Sequence, residues 1–233
     1  MLLDGNNSPQ SKQVTVLTRN PVATRLFGGI LREWGIEMAA DPASAQMVFV
    51  ERGIGAPVSR GRLVWLSSMP VRDGEYLDIP LSLTRLYHLL EQELFSSPRR
   101  HIRVPLQGAV ELHTAHGLQS AELTSMSDRG CRLDCDRELA KGQPLVLDMI
   151  LDRQRLRING EVIYTIPAGD LSRTRKPKVG VLFSQIDQTL CNALRMFIEK
   201  TCVARACSHL GVATNNPAIT WIDLARNPWA ELQ

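Results

Sequence analysis

Ser96-Ser97-Pro98-Arg99-Arg100-His101-Ile102-Arg103 is where the chain changes its rhythm. Before it, Leu81, Leu83, Leu86, Leu89, Leu90 and Leu94 recur at helical spacing. A proline disfavours helical backbone in the residue before it, so Ser97-Pro98 ends that helix and opens a linker. After the linker the apolar period falls to two. Val104–His113 and Leu118–Thr124 read as strands joined across His116-Gly117, and Cys131–Cys135 as a third. Leu145–Leu151 and Arg155–Tyr164 read as a hairpin around Asp152-Arg153-Gln154, and Val179–Phe183 as the last strand. Short strands in series with turn signals predict a small antiparallel barrel of six strands. Asp187 is a natural N-cap for a helix running to about His209, with Leu190, Leu194, Phe197 and Ile198 on one face.

The segment before the linker has a different grammar. Val14–Leu17, Ile36–Ala39, Met47–Val50, Leu63–Leu66 and Tyr76–Ile79 are short apolar runs. Asn20-Pro21 caps a helix carrying Val22, Leu26, Ile30 and Leu31, and a short helical piece is expected from about Pro42 to Ala45. Strands alternating with helices predict parallel pairing and an α/β layer. The domain plan is therefore an α/β domain over 13–95, a barrel domain with its helix over 97–210, and a tail over 211–233. Residues 1–12 read as a disordered lead.

Composition narrows the function. The 233 residues are 44% hydrophobic, enough for real cores. Twenty-seven basic residues face 24 acidic ones, a net charge of +3, too mild for direct nucleic-acid binding through a broad basic field. Five cysteines show no CxxC pair, and the polar start MLLDGNNSPQSK lacks an apolar signal region. No apolar run approaches membrane-spanning length. These features lead to the expectation of a cytoplasmic protein with free thiols and no membrane span.

Two motifs carry chemistry. Arg99-x-x-x-Arg103, with Arg100 inside it, places arginines where the linker enters the first barrel strand. Ser125-x-Ser127-x-x-Gly130 sits at a strand-to-strand turn. A guanidinium is planar and permanently charged, and it grips a phosphate or a guanine edge with two parallel hydrogen bonds. Serine hydroxyls donate to a base or phosphate. Gly130 permits close approach and positive φ. From about Ser97 to Thr201 this arrangement resembles the PilZ family of bacterial cyclic di-GMP receptors. The resemblance implies a six-stranded barrel closed by a C-terminal helix. It also implies a ligand site made of Arg99, Arg100, Arg103, Ser125, Ser127 and Gly130. The family carries Asp or Asn where this chain has Ser125, and the shorter, uncharged hydroxyl weakens that contact. The implied function is a non-enzymatic receptor in motility, biofilm or virulence signalling, which changes its domain arrangement and its binding of an unidentified protein partner. The alternative is a PilZ-fold adaptor that has lost nucleotide binding.

The first domain is similar to a response-regulator receiver short of one helix, with Ile79-Pro80-Leu81 at that family's Lys-Pro step. The chemistry departs from it. Thr18-Arg19-Asn20 stands where acidic ligands are expected, and Glu51-Arg52 where the phosphoacceptor is. A magnesium site needs clustered hard oxygen ligands, so phosphotransfer is not expected. His113-x-x-His116 lacks further metal ligands, and Gly53-x-Gly55 lacks the third glycine of a dinucleotide loop. Arg173, Arg175, Lys176 and Lys178 form a second basic cluster, read as a solvated hairpin loop. Arg153, Arg155 and Arg157 share one strand face. No nucleophile elbow, P-loop or paired carboxylates suggest an enzyme. The helix from Asp187 to His209 is long enough to pair with another copy or to pack against the first domain.

Overall fold

The computed structural model describes residues 12–72, 74–169, 176–224 and 227–232. Apart from Lys12, the lead expected over 1–12 lies outside these residues, as do Arg173 and Arg175 of the second basic cluster. The chain divides into two compact units. One is drawn from Met1–Arg100 and Cys202–Asp223, the other from His101–Thr201 and Leu224–Gln233.

The first unit is built on five parallel strands: β1 (Gln13–Leu17), β2 (Glu37–Met38), β3 (Met47–Glu51), β4 (Arg62–Ser67) and β5 (Glu75–Asp78). They lie in the order β2-β1-β3-β4-β5. Met47, Val48, Phe49 and Val50 are all fully buried, as expected of a parallel strand covered on both faces. Helix α1 (Pro21–Glu33) starts as its sequence dictates. Asn20 Oδ1 accepts from the amides of Val22 and Ala23 at 3.0 and 3.2 Å, and Pro21 stands where no amide is needed. Helix α2 (Leu83–Leu94) is capped by Ser82 Oγ on the Arg85 amide. Phe27 packs on Phe49, and Trp34 meets Tyr87 edge-on.

The parallel α/β layer is as expected. Among the described residues, 52–61 and 68–74 hold no helix, and the link before β3 holds only the 3-10 turn Pro42–Ser44.

The same unit contains the end of helix α3 (Gln188–Leu210). Glu33, nearly buried, takes Arg205 Nε at 2.7 Å and His209 Nδ1 at 2.8 Å. A Cβ on Gly29 would stand 2.8 Å from Leu210 Cδ1 and 3.3 Å from Ala206 Cβ, so the bare glycine lets α1 approach this segment closely. Further on, Leu81 and Asp223 exchange backbone bonds with Trp221 and Leu81, tying the tail to the start of α2.

The second unit is a closed barrel with strand order β10-β11-β8-β7-β6-β9. The strands are β6 (Val104–Thr114), β7 (Gly117–Ser127), β8 (Gly130–Cys135), β9 (Pro144–Leu151), β10 (Gln154–Ile166) and β11 (Lys178–Phe183). Every neighbouring pair is antiparallel. Val104, Met126, Cys131, Val181 and Val162 follow one another across five strands in a single buried row. Burial pushes the Cys131 thiol up, and Cys135 rises to about 11, chiefly through desolvation and then through Asp134. All five cysteines are free and buried. The β6–β7 turn falls on Ala115-His116, one residue earlier than the sequence suggests, because Gly117 at φ 107° already pairs with Thr114. Asp187 caps α3 by accepting from the Leu190 amide at 2.7 Å. Within this unit Phe197 of α3 packs on the buried Trp229 of the tail, ring centres 5.4 Å apart.

Candidate functional site

The linker arginines are held by their backbone and left free at their tips. The Arg99 amide donates to Glu91 Oε2 at 2.7 Å, and the Arg100 carbonyl meets His88 Nε2 at 2.7 Å. Ile102 is buried and Val104 fully so, which turns Arg103 outward. Arg99, Arg100 and Arg103 are all exposed. Among the described residues, none of the three guanidiniums meets a hydrogen-bond acceptor or an ion-pair partner. An exposed guanidinium without a partner keeps its planar donor fork open to solvent.

The turn motif is built by register. Ser127 pairs with Gly130 across the two-residue turn Asp128-Arg129. Pro105 pairs with Ser125, so β6 carries the linker alongside β7 at this turn. A Cβ on Gly130 would lie 2.4 Å from the Val181 carbonyl oxygen of β11. Close strand approach requires this glycine; positive φ, the other reason expected from sequence, is not involved. Ser125 is half-buried on the outer face. Ser127 is buried, and its hydroxyl is engaged within the turn, donating to the Gly130 carbonyl and accepting from the Arg129 amide, both at 3.3 Å. Within the barrel unit the structure therefore brings Arg103, Ser125 and Gly130 to one end of the outer wall, with Ser127 beneath.

Sequence reasoning passed over Asp128. Its carboxylate is buried, takes His101 Nδ1 at 2.9 Å and Arg195 Nε at 3.4 Å, and has the Cys191 thiol 3.9 Å away. One carboxylate thus ties the linker, the turn and the start of α3 within the barrel unit. His101 stands between Arg100 and Arg103, so this pair sets the course of the linker. An aspartate in a turn is usually solvated, and nothing local in the sequence marks this one as buried.

Two other basic candidates have partners of their own. Lys176 pairs with Asp136 at 2.8 Å. Arg155 holds Asp148 at 2.7 Å, and their hydrogen bond keeps the Asp148 carboxyl below the usual carboxylate range. Among the described residues no cluster of His, Cys, Asp or Glu is arranged to hold a metal ion. No described helix is long and apolar enough to cross a membrane.

Residues 97–200 match the family model of the PilZ domain, so this part of the chain is a PilZ domain. No curated protein matches the chain. Among solved structures, the chain is similar to the Bacillus subtilis inhibitor of motility MotI/DgrA, at 15% identity and a TM-score of 0.40, over 46% of this chain and 52% of that one. It is similar to Escherichia coli YcgR in complex with c-di-GMP, at 15% identity and a TM-score of 0.42, over 51% of each chain. It also resembles the isolated PilZ domain of Escherichia coli YcgR with c-di-GMP, at 13% identity and a TM-score of 0.42, over 50% of this chain and all of that domain. The chain thus spans about half the length of MotI/DgrA and of full-length YcgR.

Proposed function

We propose that this chain is a cyclic di-GMP receptor without enzymatic activity. Arg99, Arg100 and Arg103 grip phosphate and guanine, and the turn of Ser125, Ser127 and Gly130 forms the facing wall. The observation that carries this reading is the set of three exposed guanidiniums, without acceptors among the described residues, in the segment that opens the PilZ match. Each has a full fork available for a bidentate bond to phosphate or a guanine edge. A ligand shifts a protein's equilibrium only through differential contacts, and a linker that gains arginine–ligand bonds in one state supplies them. The output is a changed surface for a protein partner, in the motility or biofilm class of responses.

Ser125 in place of Asp or Asn, together with the internal engagement of Ser127, favours a second reading as a constitutive adaptor. Calorimetric titration with cyclic di-GMP separates the two. Micromolar or tighter binding that disappears in Arg103→Ala, with the barrel still folded, supports the receptor. No binding by the wild-type chain overturns the receptor and leaves the adaptor as the reading to pursue.

A further inference from the structure

Next to the candidate site runs an outward row that the motifs do not include. Pro105 pairs with Ser125, Ser125 with Arg132, Arg132 with Gly180, and Gly180 with Tyr164. The barrel's three register shifts all adjoin this row: Pro105/Gly108, Leu123/Ser125 and Val162/Tyr164. Bulges re-aim side chains, and three around one row mark a shaped surface. A Cβ on Gly180 would lie 2.2 Å from Tyr164 Cε1, so the phenol ring lies over bare backbone of β11 and buries it. The Tyr164 hydroxyl accepts from Arg132 Nε at 3.1 Å. That bond fixes the plane of the Arg132 guanidinium. Arg132 is exposed, and among the described residues its terminal amines meet no acceptor. Leu182, 48% exposed, is the next outward residue on β11 and pairs with Gly130.

A fork held by a tyrosine, beside an aromatic face and an exposed leucine, fits a purine. Arginine is a donor only, so it matches the two acceptors of guanine, O6 and N7, and not the donor edge that an Asp or Asn at position 125 would read. We propose that Arg132 binds the O6/N7 edge of a guanine of cyclic di-GMP, with Tyr164 as its positioning residue and the Tyr164–Leu182 surface as the seat of the base. This rests on the receptor reading above. It gives the site a guanine contact that does not depend on Ser125.

The test titrates the wild-type chain, Arg132→Ala, Arg132→Lys, Tyr164→Phe and Arg103→Ala with cyclic di-GMP and with its 7-deazaguanine analogue, which lacks only the N7 acceptor. Arg132→Ala is expected to weaken cyclic di-GMP by about tenfold to a hundredfold, the worth of one bidentate arginine–guanine pair. The wild-type chain is expected to bind the analogue at least about tenfold more weakly than the natural ligand, and Arg132→Ala to narrow that ratio by about tenfold. Arg132→Lys restores charge without the planar fork and leaves the ratio narrowed. Tyr164→Phe keeps the ring over Gly180 but frees the guanidinium, giving an intermediate loss. If Arg132 grips phosphate instead, both ligands weaken together and the wild-type ratio persists, which overturns the proposal. Unchanged affinity in Arg132→Ala overturns it too, while loss in Arg103→Ala keeps the receptor reading. A wild-type chain that binds neither ligand overturns both.

Discussion

Asp128 shows how much one side chain holds at this site. It is the only charged residue of the turn that is buried, and its two oxygens take a linker histidine and a helix arginine. Replacing it by alanine removes both bonds and leaves His101 and Arg195 to solvent, which reaches them already. The expected loss is about 1–3 kcal/mol, read as a shift in the urea midpoint. Because His101 lies within the arginine motif, the same variant is expected to weaken cyclic di-GMP even where the barrel remains folded. Stability equal to wild type would mean that the carboxylate does not anchor the linker. The contrast with the motif residues is instructive. The motif of Arg99, Arg103 and Gly130 is legible in the linear order because it consists of a spacing. Asp128 is not, since Arg195 stands 67 positions away and only folding brings the two together. Arg132 and Tyr164 were hidden for the same reason: their meeting depends on the pairing of β8 and β10 with β11.

The strands themselves were nearly all readable, because alternation of apolar and polar residues is a property of each segment alone. Register is a property of pairs, so none of the three bulges could be placed in advance. The β9–β10 hairpin was placed correctly, but its turn runs against residue preference. Asp152 and Arg153 sit at φ 47° and 67°, a left-handed pair with no glycine. Left-handed backbone costs an ordinary residue about 1–2 kcal/mol, part of which glycine returns as greater unfolded-state entropy. Arg153→Gly yields the Asp-Gly pair that such two-residue turns favour, and it leaves the Asp152–Lys200 pair in place. A gain of about 0.5–1 kcal/mol is expected, measured by thermal unfolding. A loss would show that the Arg153 side chain stabilises the hairpin more than its backbone strains it.

The chain is not two beads in sequence order. Residues Cys202–Asp223 belong with the first unit, although the barrel separates them from it in sequence. The amphipathic stripe of α3 identified the helix, but the stripe alone left its covering partner open between a second copy and the first domain. Gly28-Gly29 on α1 was the missing sign, readable only once Ala206 and Leu210 are seen against Gly29. A chain ended after Thr201 is expected to keep the barrel and to lose protection of α1 in hydrogen exchange. Unaltered protection there would show that the first unit stands without the returning segment.

This nesting has a consequence for how the protein is made. The sheet is made before the barrel, but the strip that covers α1 follows α1 by roughly 175 residues, after all the barrel strands. At translation rates of about 5–20 residues per second, that face waits some 9–35 s for its cover. The barrel, whose strands are contiguous, is complete before the older half of the chain can close. The first-made sheet thus closes only after every strand of the barrel has been made.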